Sequence, residues 1–171
     1  MRLTRHTNYA LRMLMYCGSK NSLAQDEAKG TLATIKEISA FYGLSEKFLT
    51  KILLSLTKHG FMTTVRGRHG GICLAMPADE IYLGDVIRKV EENFELAECF
   101  QAGEVTCPLV HACGLNQALS RALEGFFDTL NEYTLDDLIQ KQHNINVLVE
   151  LTTAIDTPQS PEKTPQDIRV L

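Results

Sequence analysis

Thr34-Ile-Lys-Glu-Ile-Ser-Ala-Phe-Tyr-Gly-Leu-Ser-Glu-Lys-Phe-Leu-Thr-Lys-Ile-Leu-Leu-Ser-Leu-Thr-Lys-His-Gly60, continued directly by Phe61-Met-Thr-Thr-Val-Arg-Gly-Arg-His-Gly-Gly-Ile-Cys-Leu-Ala75, is the stretch on which the fold turns. Thr34 with Glu37 three residues on fits a capping box, in which each side chain accepts from the other's backbone N–H. Ile35, Ile38 and Phe41 or Tyr42 make a short apolar stripe, and Gly43-Leu44 reads as a tight turn. Ser45 then caps a second helix whose Phe48, Leu49, Ile52, Leu53 and Leu56 recur at helical spacing and face inward. Lys58 and His59 complement its end and Gly60 stops it. Two short helices joined by a glycine-containing turn are the helix-turn-helix pattern. The β-prone runs 61–65 and 72–75 flank Arg66-Gly-Arg-His-Gly-Gly71, which predicts a hairpin with a basic, glycine-rich tip. A helix-turn-helix followed at once by such a hairpin is a winged helix. The expected fold class is therefore mainly α with a small β-hairpin wing.

Before this stretch, Ala10, Met13, Leu14 and Cys17 recur at helical spacing from Leu3 onward, and Gly18 with Ser19 reads as the helix end. Residues 19–31 are polar and without period, and read as a mobile loop insertion. After the hairpin, Pro77 opens a connector and a helix is expected from Leu83 to about Phe94 through Val86, Ile87 and Val90. Residues 95–113 read as a loop. A long stripe of Leu115, Ala118, Leu119, Ala122, Leu123, Phe126, Leu130 and Tyr133 follows, on a helix with polar residues elsewhere. Such a helix must bury its stripe, and a partner chain is the natural cover. Thr134-Leu-Asp-Asp137 caps a further helix over 135–141, and 145–151 adds one apolar turn. Beyond Asp156, three prolines among polar residues read as a disordered tail. The division expected is 1–76 for the winged-helix DNA-binding domain, 77–113 for connector and cysteine loop, 114–151 for the dimerisation helix and following helices, and 152–171 for the tail.

Across 171 residues, 44% hydrophobic and 22% charged content are those of a globular chain. No apolar run nears the roughly 20 residues needed to span a bilayer, and no secretory leader pattern opens the chain, so a cytoplasmic location without membrane association is expected. The net charge of −4 conceals an asymmetry. Residues 1–76 hold 11 Lys and Arg against 4 Asp and Glu, whereas residues 77–171 hold 6 against 17. A basic half on an acidic chain points to a polyanion partner. No nucleophile–base pair, phosphate loop or dense carboxylate pair appears, and the five histidines (His6, His59, His69, His111, His143) read as surface or helix-end residues. The chain reads as a non-enzyme without a small-molecule substrate.

For double-stranded DNA, the second helix offers Ser45, Glu46, Lys47, Thr50, Lys51 and Ser55 outward. Serine and threonine serve phosphate or base edge, and Lys47 and Lys51 suit phosphates. Glu46 either accepts from a cytosine amino group or strengthens the helix start. At the wing, Arg66, Arg68 and His69 suit the negative floor of the minor groove, while Gly70 and Gly71 let the backbone come close. Arg2, Arg5 and Arg12 on the first helix extend the phosphate footprint.

Five cysteines divide into two kinds. Cys17 and Cys73 sit alone in apolar patterns, as small buried hydrophobes do. Cys99, Cys107 and Cys113 are separated by seven and five residues in one loop. Three readings are compatible: a zinc site with His111, an iron–sulfur cluster, or a thiol switch. Structural zinc sites use pairs spaced two to four apart, so the wider gaps lean toward the bulkier cluster.

The opening Met1-Arg-Leu-Thr-Arg-His-Thr-Asn-Tyr-Ala-Leu-Arg12, the wing Val65-Arg-Gly-Arg-His-Gly-Gly71, and Cys99, Cys107-Pro-Leu and Cys113-Gly-Leu together resemble the bacterial iron–sulfur winged-helix regulators, the IscR/NsrR/RirA family. The likeness spans roughly residues 1–150. It is strongest to the rhizobial iron-regulator branch, in Ala97-Glu-Cys-Phe100 and Glu104-Val-Thr-Cys-Pro-Leu-Val110. The resemblance implies a homodimer joined through the long helix, seated on a palindromic operator. It implies one cluster per subunit on Cys99, Cys107 and Cys113, 4Fe–4S ahead of 2Fe–2S. It further implies an iron-responsive repressor of iron-uptake genes, with a nitric-oxide or redox sensor of the same architecture as the alternative. Where one branch keeps a ligating histidine this chain has Asn116, and where another keeps an aspartate it has Asn8. Glu98, Glu104, His111, water or a small thiol remain for the fourth position.

Overall fold

A computed structural model describes residues 2–22, 32–68, 70–100, 107–109 and 113–141. The first element, α1 (Arg5–Ser22), carries the core outward from Ala10, Met13, Leu14, Tyr16 and Cys17, all essentially solvent-free. It does not stop at Gly18. A Cβ at Gly18 would run into the Cδ1 of Ile139, so the glycine is there for close packing. The helix continues one turn further because Lys20, also buried, finds its partners inside. Its Nζ donates to Glu37 Oε1 at 2.9 Å, to Oε2 at 3.0 Å and to the Leu32 carbonyl at 3.0 Å. Residues 19–22, expected as loop, are therefore helical, and 23–31 lie outside the described residues.

The helix-turn-helix forms as its local chemistry dictates. In α2 (Ile35–Tyr42), Glu37 N–H donates to Thr34 Oγ1 at 3.2 Å and Thr34 N–H to Glu37 Oε2 at 2.7 Å, a complete capping box. Gly43 ends it at φ 62°, where a side chain is strained. Ser45 Oγ accepts from Phe48 N–H at 3.3 Å and opens α3 (Glu46–Lys58), which buries Leu49, Ile52, Leu53 and Leu56. The wing is an antiparallel pair, β1 (Met62–Val65) and β2 (Gly71–Leu74), with Met62 opposite Leu74 and Val65 opposite Gly71. A one-residue bridge between Ala33 and Ile72 pins the wing to the approach of α2.

The connector holds a single 3₁₀ turn, Ala78–Glu80, and then α4 (Leu83–Val90). This helix ends four residues before the expected Phe94, because its continuation is pulled elsewhere. The buried Glu91 carboxylate accepts from Thr4 N–H at 2.8 Å and Thr4 Oγ1 at 3.1 Å, at the start of α1. Phe94 packs edge-on to Phe127, with ring centroids 5.0 Å apart. A second 3₁₀ turn, Glu98–Phe100, precedes α5 (Gly114–Asn131) and α6 (Leu135–Lys141). Thr134 and Asp137 cap α6 reciprocally, as expected. Leu135 and Ile139 enter the same core as α1, so one hydrophobic cluster runs from Ala10 to Ile139. The expected turn at 145–151 and the tail fall outside the described residues. Among the described residues no helix is long and apolar enough to cross a membrane.

Along α5 only Phe127 is fully buried. Leu119, Leu123, Phe126 and Leu130 are half-covered, Ala118 and Ala122 are exposed, and Leu115 is 66% exposed. Among the described residues nothing covers the rest of this stripe.

Candidate nucleic-acid interface and cysteine loop

The outward face of α3 presents Glu46, Lys47, Thr50 and Lys51 to solvent, with Ser45 exposed at its start. Thr50 Oγ1 donates to the Glu46 carbonyl at 2.8 Å, which leaves its hydroxyl oxygen free to accept and its proton occupied. Ser55 is half-buried, less available than expected. Leu54, overlooked in the apolar pattern, is 65% exposed on this face. An exposed leucine amid lysines and threonines offers apolar contact of the kind a thymine methyl accepts. The signal was in the register: 54 is four residues after Thr50, on the outward stripe.

At the wing, Arg66 and Arg68 are exposed, and His69 lies outside the described residues. Gly70 and Gly71 have structural reasons of their own. A Cβ at Gly70 would strike the Val65 carbonyl, and one at Gly71 would lie 2.6 Å from the Ala33 carbonyl. Hairpin closure and the bridge to Ala33 thus account for both glycines before any ligand is considered.

Beside α3, Arg2, Arg5 and Arg12 are all exposed and line, with Thr4, Asn8 and Tyr9, an open depression of about 500 Å³. The Arg5 guanidinium sits 5.9 Å from the Tyr9 ring and 5.8 Å from that of Phe48, and Arg12 sits 5.2 Å from Tyr9. These cation–aromatic contacts hold the guanidiniums at the surface and join α1 to the first turn of α3. The cationic face therefore has three sources: α1, α3 and the wing.

The remaining chemistry lies in the chain between α4 and α5. Cys99 is in the turn Glu98–Phe100, Cys107 stands before Pro108, and Cys113 is the cap residue of α5; all three are half-buried free thiols. Asn116, in the first turn of α5, donates from Nδ2 to Cys99 Sγ at 3.3 Å. Among the described residues no three His, Cys, Asp or Glu side chains stand together as a metal site. Residues 101–106 and 110–112, which link the thiols and contain Glu104 and His111, lie outside the described residues. By chemistry alone the three thiols are the donor type a thiolate-bound centre needs, with Cys113 at a helix start and Cys99 receiving an N–H bond, but the described residues do not bring the three together.

Cys17 and Cys73 differ. Burial, with the charge of Cys73 second, pushes the Cys17 thiol up to about 12, and burial also raises Cys73. Cys17 is thus the small buried hydrophobe expected, whereas Cys73 is only half-buried on β2, short of the expected burial.

A family model described as "Rrf2: Iron-dependent Transcriptional regulator" matches residues 3–141. "Protein aau3" of Rhizobium meliloti is 52% identical over 151 residues, 88% of this chain and 93% of that protein. The "HTH-type transcriptional regulator NsrR" of Oceanobacillus iheyensis is 42% identical over 149 residues, 87% of this chain and 97% of that one. In structure, "T. potens IscR" superposes with a TM-score of 0.63 at 19% identity, covering 84% of this chain and 90% of that chain, a likeness of fold.

Proposed function

The chain belongs to the Rrf2 family of transcriptional regulators, and on that premise we propose that it is an iron-responsive repressor of iron-acquisition genes. It binds a palindromic operator as a homodimer and holds one labile iron–sulfur cluster per subunit on Cys99, Cys107 and Cys113, 4Fe–4S ahead of 2Fe–2S. Residues 1–76 are assigned to DNA binding, 77–113 to the connector helix and cysteine loop, and 114–151 to the dimerisation helix and the helices after it. When bound, the cluster supplies iron whose retention follows the iron level of the surroundings.

The observation that carries this reading is the placement of the three thiols on the segment that ties the dimer helix to the DNA-binding face. Ordering the loop fixes where α5 begins relative to the end of α4. Glu91, at the end of α4, caps the start of α1 through Thr4. Tyr9 of α1 meets Phe48 of α3 edge-on at 6.0 Å. A change in the loop therefore reaches the recognition helix through packed, hydrogen-bonded neighbours, and α5 converts it into a change of spacing between two such helices. The uncovered stripe of α5 supports a mate in the same position on the second chain.

The test is anaerobic loading with iron and sulfide, followed by operator binding during titration with a ferrous chelator. Release should track loss of visible absorbance, and Cys107→Ala protein should bind the operator about tenfold more weakly or worse, within the usual range of allosteric coupling. Operator affinity of Cys107→Ala equal to that of loaded wild type would sink the iron-sensing model. Release by nitric oxide alone would reassign the signal. Colourless protein containing zinc would reassign the metal.

A further inference from the structure

Asn116 is an uncharged side chain at a position where it touches one of the three thiols. It is half-buried in the first turn of α5, three residues after Cys113, and its Nδ2 lies 3.3 Å from Cys99 Sγ. We propose that Asn116 is a positioning residue for the sulfur centre, donating an N–H bond to Cys99 and setting how firmly iron is held there. This deepens the cluster reading of Cys99, Cys107 and Cys113 and rests on it.

The physical argument has two parts. First, an amide N–H aimed at a thiolate sulfur withdraws electron density from it, which favours the more reduced state of any iron it binds and stabilises the ligated form. An amide has two donors and does not titrate near neutral pH, so it gives this support without adding charge. Second, the contact spans 17 residues of chain and joins the turn Glu98–Phe100 to the start of α5, which bears Cys113. Asn116 thereby holds two of the three ligand-bearing segments in register while residues 101–106 run between them. A carboxylate in its place would repel the thiolate, and an aliphatic side chain would fill the space without a donor.

The experiment compares wild type with Asn116→Leu, Asn116→Asp and Asn116→Ser, each loaded anaerobically with ferrous iron and sulfide. Three quantities are read: reduction potential, visible spectrum, and the rate of absorbance loss under a ferrous chelator. The Leu and Asp proteins should lose iron about tenfold faster, the lower end of what removing a partner of a metal ligand costs, and should have more negative potentials. The Ser protein, whose hydroxyl still donates, should fall between them and wild type. Chemical denaturation of the metal-free proteins checks that all four are equally folded. Identical potentials and rates in all four would overturn the role of Asn116 and leave the cluster reading standing. A Ser protein no better than Leu would overturn the hydrogen bond in favour of packing alone. A wild type that takes up no iron and sulfide would overturn the cluster reading itself.

Discussion

Replacing Lys20 by methionine keeps most of the side chain's volume and removes its charge. The side chain is 6% exposed and that of Glu37 23%, so the ion pair lies largely out of water. Three acceptors lose a donor at once: both Glu37 oxygens and the Leu32 carbonyl. Breaking a buried pair from one side costs about 3–5 kcal/mol. Glu37 keeps its bond from Thr34 N–H and some water, so we expect the lower end, about 3 kcal/mol, a sizeable fraction of a normal folding free energy. Glu37→Gln retains an oxygen for Thr34 and leaves the buried ammonium its Leu32 carbonyl but no counter-charge, and about 2 kcal/mol is expected. The double variant strands neither charge. It should cost about 2 kcal/mol less than the sum of the singles, the coupling of groups in direct contact. The assay is urea denaturation of the four proteins at pH 7 and one protein concentration, since assembly contributes to apparent stability. Singles that add to within ~0.5 kcal/mol would refute the claim that this pair extends α1 and anchors α2.

Gly18→Ala gains helix propensity, about 1 kcal/mol, but drives a methyl group into Ile139. Overpacking of about 1–3 kcal/mol should win and destabilise the protein. In an Ile139→Val background, which removes the clashing Cδ1, the same substitution should become stabilising, as denaturation midpoints will show. Cys17 and Tyr42 are both pushed up to about 12, chiefly by burial. Raised acids favour the protonated fold, so their contribution is complete below the unfolded values and is lost as pH climbs from about 9–10 toward 12. Cys17→Ala should flatten part of that alkaline decline, read from stability at stepped pH. Leu123→Glu on the uncovered stripe of α5 should shift the protein to monomer in sedimentation with little change in helix content. Arg68→Ala should weaken operator binding and reduce the slope of log affinity against log salt by about one, because one cation fewer displaces counterions from the duplex.

Most of the outward face of α3 was legible in the sequence because the helix is regular. Once Ser45 is the cap, inward Leu49, Ile52, Leu53 and Leu56 leave Lys47, Thr50, Lys51 and Leu54 outward. Leu54 belongs to neither the inward apolar set nor the polar outward set by residue type, and only its register places it outward. The cysteine loop was legible as chemistry but not as geometry. Spacing identifies three thiols in one segment, whereas the N–H from Asn116 depends on where α5 starts relative to the turn at Cys99. The role of Gly70 and Gly71 was likewise open, since a glycine in a basic tip reads the same whether ligand or backbone comes close.

What the sequence by itself determined is everything whose cause lies within a turn or two of chain: the capping boxes at Thr34 and Thr134, the turn at Gly43, the cap at Ser45, the hairpin and its charge. These rest on hydrogen bonds and side-chain periods a few residues long, so they are written where they act. Tertiary structure alone decided the extent of α1, the end of α4 and the partner of Cys99. Gly18 continues the helix because Ile139, more than a hundred residues away, fills the space its side chain would need. Lys20 stays inside because Glu37 is there to neutralise it. Helix α4 stops because Glu91 and Phe94 have better partners in Thr4 and Phe127 than another helical turn provides.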